Sequence, residues 1–381
     1  MRILLTTAPM LSHLYLLAPL AWALRAEGHD VLTAVQQGFA DPVLGAGLPV
    51  VEHTPPMSIS QAMAVDRAGR PVEWTADLQR AAQRAARGFA RVSAAATDDT
   101  IALVRAWRPD LVISDPCEFA GPMAAAAHGI PWVTYEWGVP LDPAFLPAAA
   151  DELAPEREHL GLTGAPLPAL VLDNRPPSLR TENNAGTHAM RYIPYNGCAA
   201  VPPWLLRPPR SPRICVTVST FASAGSDLGM LKDVLVALAG LRAEVVVGGN
   251  DDLLAELGDL PDGVRVMGWL PLQLVFPTCA VAIHHGGLGS LLTSLYYGLP
   301  QLVLPAAGYD LAYAEMITGL SAGRWLDPYT LTAAQVRSSV EALLHVPVHR
   351  KAARVLAAEI AAQPAPADVV PVLERLAATR P

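Results

Sequence analysis

The chain runs twice through the same order of elements, and that recurrence limits its fold more than any other feature. Residues 2–7 (RILLTT) form an apolar, strand-like run. Residues 14–27 carry apolar side chains at helical spacing and stop at Gly28, and residues 29–35 (HDVLTAV) read as a second strand. Strand, loop, helix and strand then return at 213–218 (RICVTV), 219–227, 228–241 and 243–248 (AEVVVG). A strand, a crossover helix and a parallel strand within about thirty residues make the building block of a doubly wound sheet. Two such openings in 381 residues predict an α/β protein of two Rossmann-like, doubly wound parallel-sheet domains, each large enough to bury its own core. Further strands are predicted at 45–51, 110–114, 132–136, 264–268, 281–283 and 301–304. Helices are predicted at 88–107, 332–344, 348–362 and 367–380. Proline accumulates between 140 and 212, and the stretch just before Arg213 reads as a stiff linker.

Ligands of open parallel sheets bind at the carboxyl ends of strands. The loops after the first strand of each half, and after residue 283, are therefore expected to line one shared cleft. The most specific of these stretches is 281–294 (VAIHHGGLGSLLTS). A strand that feeds a helix through Gly286, Gly287 and Gly289 leaves helix-start amides unpaired, and those donors together with the helix dipole favour an anion. His285 at the mouth, with the Ser290 and Thr293 hydroxyls, adds donors of the kind a diphosphate takes. An ordinary strand–turn–helix joint would carry the same glycines.

His13 lies in the loop expected at 8–13, at a strand end, where a histidine serves as general base near neutral pH. Asp115 follows another strand. It could hold the imidazole tautomer, or simply cap the next helix, and Glu118 is its substitute. Asp310 is a third strand-end acid, able to accept from sugar hydroxyls or to cap a helix. Trp269 and Leu270 follow a strand. The indole could flank a planar base or be plain core, and the backbone there reads as a contact for the base. Met10, Met57, Met63, Phe119 and Trp137 are candidates for an apolar acceptor wall, or for core.

Composition closes off several classes. The net charge of -8 argues against a nucleic-acid partner. The apolar run 14–24 is too short to span a bilayer, so no stable membrane insertion is expected. Cys117, Cys198, Cys215 and Cys279 form no C-x-x-C, which speaks for a reducing cytoplasm and against zinc or a disulfide framework. No D-x-D acidic pair, P-loop or G-x-S-x-G elbow occurs. No metal is therefore expected, and a homodimer is compatible with the sequence.

Together, HHGGLGS (284–290), AWRPDLVISD (106–115), PPSLR (176–180), YIPYNG (192–197), GLPQLVLP (298–305) and the strand-end His13 resemble the GT-B glycosyltransferases of family 1. Within these they are similar to actinobacterial enzymes of the spinosyn and urdamycin type, which place deoxysugars on polyketides. The resemblance implies an acceptor-binding domain over 1–195, a linker at 196–212, a nucleotide-sugar domain over 213–362 and a terminal helix at 363–381 packing back on the first domain. It implies a dTDP-deoxysugar co-substrate with no further cofactor, an apolar polyketide aglycone, and inversion at the anomeric carbon. L-rhamnose or a related 6-deoxyhexose is the sugar it suggests. His13 matches the family's base and Asp115 its acid. His285 matches the diphosphate ligand, and Ser219 and Thr220 a first-loop glycine/threonine position. The family's Asp-Gln pair is here Asp310-Leu311, which suits a donor with fewer or differently placed hydroxyls. A sugar-nucleotide epimerase, a C-glycosyltransferase acting on an aromatic polyketide, and a silent auxiliary of another glycosyltransferase are the competing readings.

Overall fold

The computed structural model describes residues 1–75, 77–136, 142–180, 187–217, 226–249, 255–258, 260, 263–269, 271–305 and 308–379, with the side chains at 226, 227, 308 and 309 excepted. The chain divides into two compact units. The first comprises Met1–Arg175, Thr181–Arg191 and Gln363–Pro381; the second comprises Pro176–Arg180 and Tyr192–Ala362.

Unit 1 is built on a seven-stranded parallel sheet ordered β3-β2-β1-β4-β5-β6-β7. The strands are β1 (Arg2–Thr6), β2 (Asp30–Gln36), β3 (Val50–Thr54), β4 (Leu111–Ser114), β5 (Trp132–Glu136), β6 (Leu170–Asp173) and β7 (His188–Ala189). The central strands RILLT and LVIS are nearly continuous apolar runs because helices cover both sheet faces. Unit 2 repeats the plan with six parallel strands ordered β10-β9-β8-β11-β12-β13. These are β8 (Arg213–Thr217), β9 (Glu244–Gly248), β10 (Val264–Met267), β11 (Val281–His284), β12 (Gln301–Val303) and β13 (Gly323–Trp325). Its core packs Ile214, Val245, Ile283 and Leu302 of the sheet against Leu235, Val336 and Val340 of the helices.

Several elements depart from the sequence expectation. Helix α1 spans Leu11–Ala26, three residues earlier than its apolar spacing suggests. Met10 is extended, and the chain closes into helix at once: the amides of His13 and Leu14 both donate to the Met10 carbonyl at 3.1 Å. His13 is thus in the first helical turn and not in a loop. Helix α2 runs unbroken over Leu78–Trp107, where the helix was expected to begin at Gly88. Its first ten residues are strong helix formers without an apolar stripe, started by Asp77, whose carboxylate accepts from the Arg80 amide at 2.8 Å. Gly88 in its middle is a contact and not a start, since a Cβ there would lie 2.4 Å from Met63 Cγ. The proline-rich stretch holds helices Phe145–Glu152 and Ala154–His159 as well as β6 and β7, which carry the first sheet past β5.

Helix α3 is Ala120–Ala127, α4 is Leu288–Tyr296, α5 is Gly308–Gly319 and α6 is Pro366–Ala378. Helix α6 belongs to unit 1, where it packs on α1 and buries Val369, Val370 and Leu373. Among the described residues no helix is long and apolar enough to cross a membrane.

Candidate active site

Each sheet reverses its strand order once at its first strand, between β1 and β4 in unit 1 and between β8 and β11 in unit 2. Loops at such reversals diverge to opposite faces and leave a crevice at the strand ends.

In unit 1 the reversal holds His13 and Asp115. Asp115 follows the last residue of β4 and is fully buried. Its Oδ2 accepts from the Ala8 amide at 2.6 Å, and its Oδ1 accepts from the Cys117 amide at 2.8 Å and pairs with His13 Nδ1 at 3.1 Å. Burial alone would raise this carboxyl. The bonded His13 ring, with the two amides, instead holds it below its ordinary value. Asp115 is therefore ionised and accepts a hydrogen bond from the Nδ1–H of His13, so in the neutral ring the lone pair is on Nε2. The ring is held from the side by Phe89, 5.7 Å away between centroids.

Asp115 does not cap the following helix. The first amides of α3, those of Ala120 and Gly121, donate to Glu118 Oε1 at 2.7 and 3.3 Å, and Thr6 Oγ1 donates to Oε2. Burial pushes the Glu118 carboxyl up to about 7 against those bonds. Cys117 brings its sulfur near the pair: potential metal-binding atoms of His13, Asp115 and Cys117 lie within 4.8 Å of one another. Burial pushes that thiol well up, so it stays protonated, while Asp115 already serves three donors.

Of the acceptor candidates, Met10, Met63 and Phe119 border one apolar cluster with Ala8, Phe89 and Phe145. Met57 lies outside that cluster, its amide donating to Gln36 Oε1 at 3.0 Å. Trp137 is outside the described residues. A cavity beside the cluster is lined by Thr7, Pro9, Gln36, His53, Phe89 and Glu118. Phe89 and His53 carried no local signal; one lies inside a long helix, the other in an edge strand.

In unit 2 the loop after β11 is built around backbone. Gly286 has φ +102°, and a Cβ there would lie 2.8 Å from Asp310 Cβ, so both conformation and contact demand glycine. Gly287 precedes α4, and a Cβ on it would lie 2.2 Å from His285 Nε2, so glycine makes room for that ring. No described residue accepts from the amides of Leu288, Gly289 or Ser290 at the start of α4. The Gly286 amide is not among these open donors, because it donates to His284 Nδ1 at 3.1 Å.

His285 Nδ1 is buried and has no partner among the described residues. Burial pulls its ring down to about 4, so the imidazole is neutral near pH 7 and is not a cation. Asp310, in the first turn of α5, is buried against Gly286. Thr293 is not available to a ligand: it is fully buried, donates to the Gly289 carbonyl at 2.6 Å and bonds the Tyr192 hydroxyl at 2.8 Å. Trp269 is not core. It is 42 % exposed and its Nε1 donates to the Asn196 carbonyl at 3.1 Å. Tyr192 and Asn196, both in YIPYNG, thus brace α4 and Trp269, a role their sequence does not announce. Ser219, Thr220 and Leu270 lie outside the described residues.

Two doubly wound parallel sheets on one chain, each with its polar loops at the strand-order reversal, define the GT-B class of glycosyltransferase. The chain belongs to the EryCIII-like family: models described as the N-terminal and C-terminal domains of "Erythromycin biosynthesis protein CIII-like" match residues 22–219 and 232–376. It is 39 % identical to the L-demethylnoviosyl transferase of Streptomyces niveus over 375 residues, covering 97 % of this chain and 96 % of that protein. It is similar to the glycosyltransferase SsfS6 of Streptomyces sp. SF2575 in complex with thymidine diphosphate, with TM-score 0.88 and 34 % identity over 98 % of this chain and 99 % of that one. The spinosyn rhamnosyltransferase SpnG, also with thymidine diphosphate, gives TM-score 0.84 and 31 % identity over 98 % and 100 % of the two chains.

Proposed function

We propose that the protein transfers a deoxysugar, L-rhamnose or a related 6-deoxyhexose, from a thymidine-diphosphate sugar to a hydroxyl of a polyketide aglycone, with inversion and without a metal ion. The observation that carries this reading is the buried His13–Asp115 pair, 3.1 Å apart at the strand-order reversal of unit 1. His13 Nε2 takes the proton of the acceptor hydroxyl as that oxygen attacks C1 of the sugar. The bond from C1 to the diphosphate oxygen breaks in the same step, and Asp115 stabilises the imidazolium that forms. The leaving diphosphate carries the new negative charge. The open amides of Leu288, Gly289 and Ser290, the dipole of α4 and a proton on His285 are fixed donors suited to it, in the role a metal ion fills elsewhere. Asp310 accepts from a sugar hydroxyl, and Leu311 beside it leaves no side-chain amide for a second. Met10, Met63 and Phe119 face the aglycone. The thymidine diphosphate in two structural relatives and the sugars named for others support the donor class.

The test is transfer by the protein alone from a panel of thymidine-diphosphate deoxysugars and UDP-glucose to hydroxylated polyketide aglycones, read by mass spectrometry. The expected product gains one deoxyhexose that acid hydrolysis removes. Preference for UDP-glucose over every deoxysugar donor, or an acid-stable C-linked product, would overturn the reading.

A further inference from the structure

The mechanism above leaves His284 unused, although it is the most tightly specified histidine in unit 2. It ends β11, is 1 % exposed, and is bonded through both ring nitrogens. A backbone amide can only donate, so the Gly286 N–H, 3.1 Å from Nδ1, requires the lone pair there. The ring proton is thereby placed on Nε2. That N–H in turn requires an acceptor, and Gln301 on β12 presents Oε1 at 2.7 Å. Direction thus runs one way, from the Gly286 amide through the ring to Gln301. Gly286 is the residue whose φ of +102° turns the chain from strand into α4, against Asp310.

We propose that His284 is a positioning residue for the nucleotide donor: it never touches the diphosphate, but through Nδ1 it fixes the peptide of Gly286 and so aims His285 and the first amides of α4. This rests on the donor site assigned above. An imidazolium could not do the job, because a protonated Nδ1 would face the amide donor to donor. Burial keeps the ring neutral, pulling it down to about 3.

Two substitutions separate positioning from packing. In His284→Asn the side-chain oxygen can stand where Nδ1 stood and accept from Gly286. In His284→Gln the side-chain amide reaches the Nε2 position and leaves Gly286 without an acceptor. In the full chain, His284→Asn is expected to bind thymidine diphosphate within about threefold of wild type. His284→Gln is expected to bind about tenfold or more weakly, the size expected for an orphaned buried amide. Donor KM should follow affinity, with acceptor KM unchanged. Hydrogen exchange of the 281–290 peptide in the nucleotide-free protein gives a readout independent of function: protection is kept in the Asn variant and lost in the Gln variant. If the Gln variant does not fold, Gln301→Met, which removes the acceptor that holds the proton on Nε2, should show the same loss. Equal affinity and equal exchange in the Asn and Gln variants would overturn the positioning role. A wild-type chain that shows the exchange pattern but no affinity for thymidine diphosphate would instead overturn the donor site itself.

Discussion

The reversal of unit 1 and the loop after β11 in unit 2 both place histidine at a strand end, yet their surroundings differ in kind. His13 is bonded to a buried carboxylate that two backbone amides and the ring itself hold ionised. Among the described residues no carboxylate is bonded to the ring of His284 or His285; His284 is bonded to a glutamine and a backbone amide, and burial holds both rings neutral. The difference teaches that the fold supplies position and the neighbours supply chemistry. A carboxylate partner makes an imidazole that can take and keep a proton during a reaction. Burial without a bonded carboxylate makes one that can offer a hydrogen bond while staying neutral.

Breaking the contrast on the unit 1 side should have the largest effect. His13→Ala is expected to lower kcat by about 10²–10⁴ while leaving thymidine diphosphate affinity within experimental error, because general base catalysis carries that range. Steady-state kinetics and calorimetry on the same preparation check it. Unimpaired turnover would show that the carboxylate-paired histidine is not the base.

The next effect falls in unit 2 and leaves unit 1 untouched. Gly286→Ala puts a methyl group 2.8 Å from Asp310 Cβ at a left-handed φ, and should cost about tenfold or more in nucleotide affinity. Among the described residues Gly289→Ala meets Asn196 Nδ2 alone, at 3.5 Å, and should bind nearly as wild type. Equal losses in the two variants would mean that flexibility, not the shape of the turn, is what the glycines provide.

The smallest expected effect sharpens the comparison within unit 1, between two carboxylates three residues apart. Asp115 is held low, whereas Glu118 is pushed up to about 7 from 4.5. A carboxyl whose folded value is raised contributes stability that is complete below about 4.5 and is lost as pH rises through about 7. Glu118→Gln keeps an oxygen for the Ala120 and Gly121 amides but cannot ionise. Its Tm relative to wild type should therefore rise between pH 5 and 8, by a few degrees at most. A Tm difference that does not change with pH would place the Glu118 titration outside this window.

Much of this was legible in the residues. The repeated strand–helix–strand opening gave both sheets, because buried parallel strands announce themselves as short apolar runs. The glycine turn after β11 and the acid after β4 stood out by residue type. Other features were silent for physical reasons. The first turn of α1 is built from Ser12 and His13, which carry no apolar period, so the helix hid the candidate base inside it. Strands β7 and β13 have only two and three residues, too few to show an alternation. The bonds from Tyr192 and Asn196 to α4 join residues 101 and 97 apart in the chain, and no local pattern encodes such a contact. The choice between a cap and a partner for Asp115 depended on where α3 begins, which spacing alone could not fix.

Helix α6 gives the chain an unusual economy of connection. The polypeptide leaves unit 1 after residue 191 to build unit 2, then returns at Gln363, whose side chain donates to the Arg175 carbonyl at 2.6 Å. A truncation after residue 362 would therefore injure the half of the molecule whose sequence ended long before the cut, by stripping Val369, Val370 and Leu373 from its surface. Hybrid enzymes assembled by exchanging the halves of two such proteins need the tail to travel with the front, not with the segment it follows.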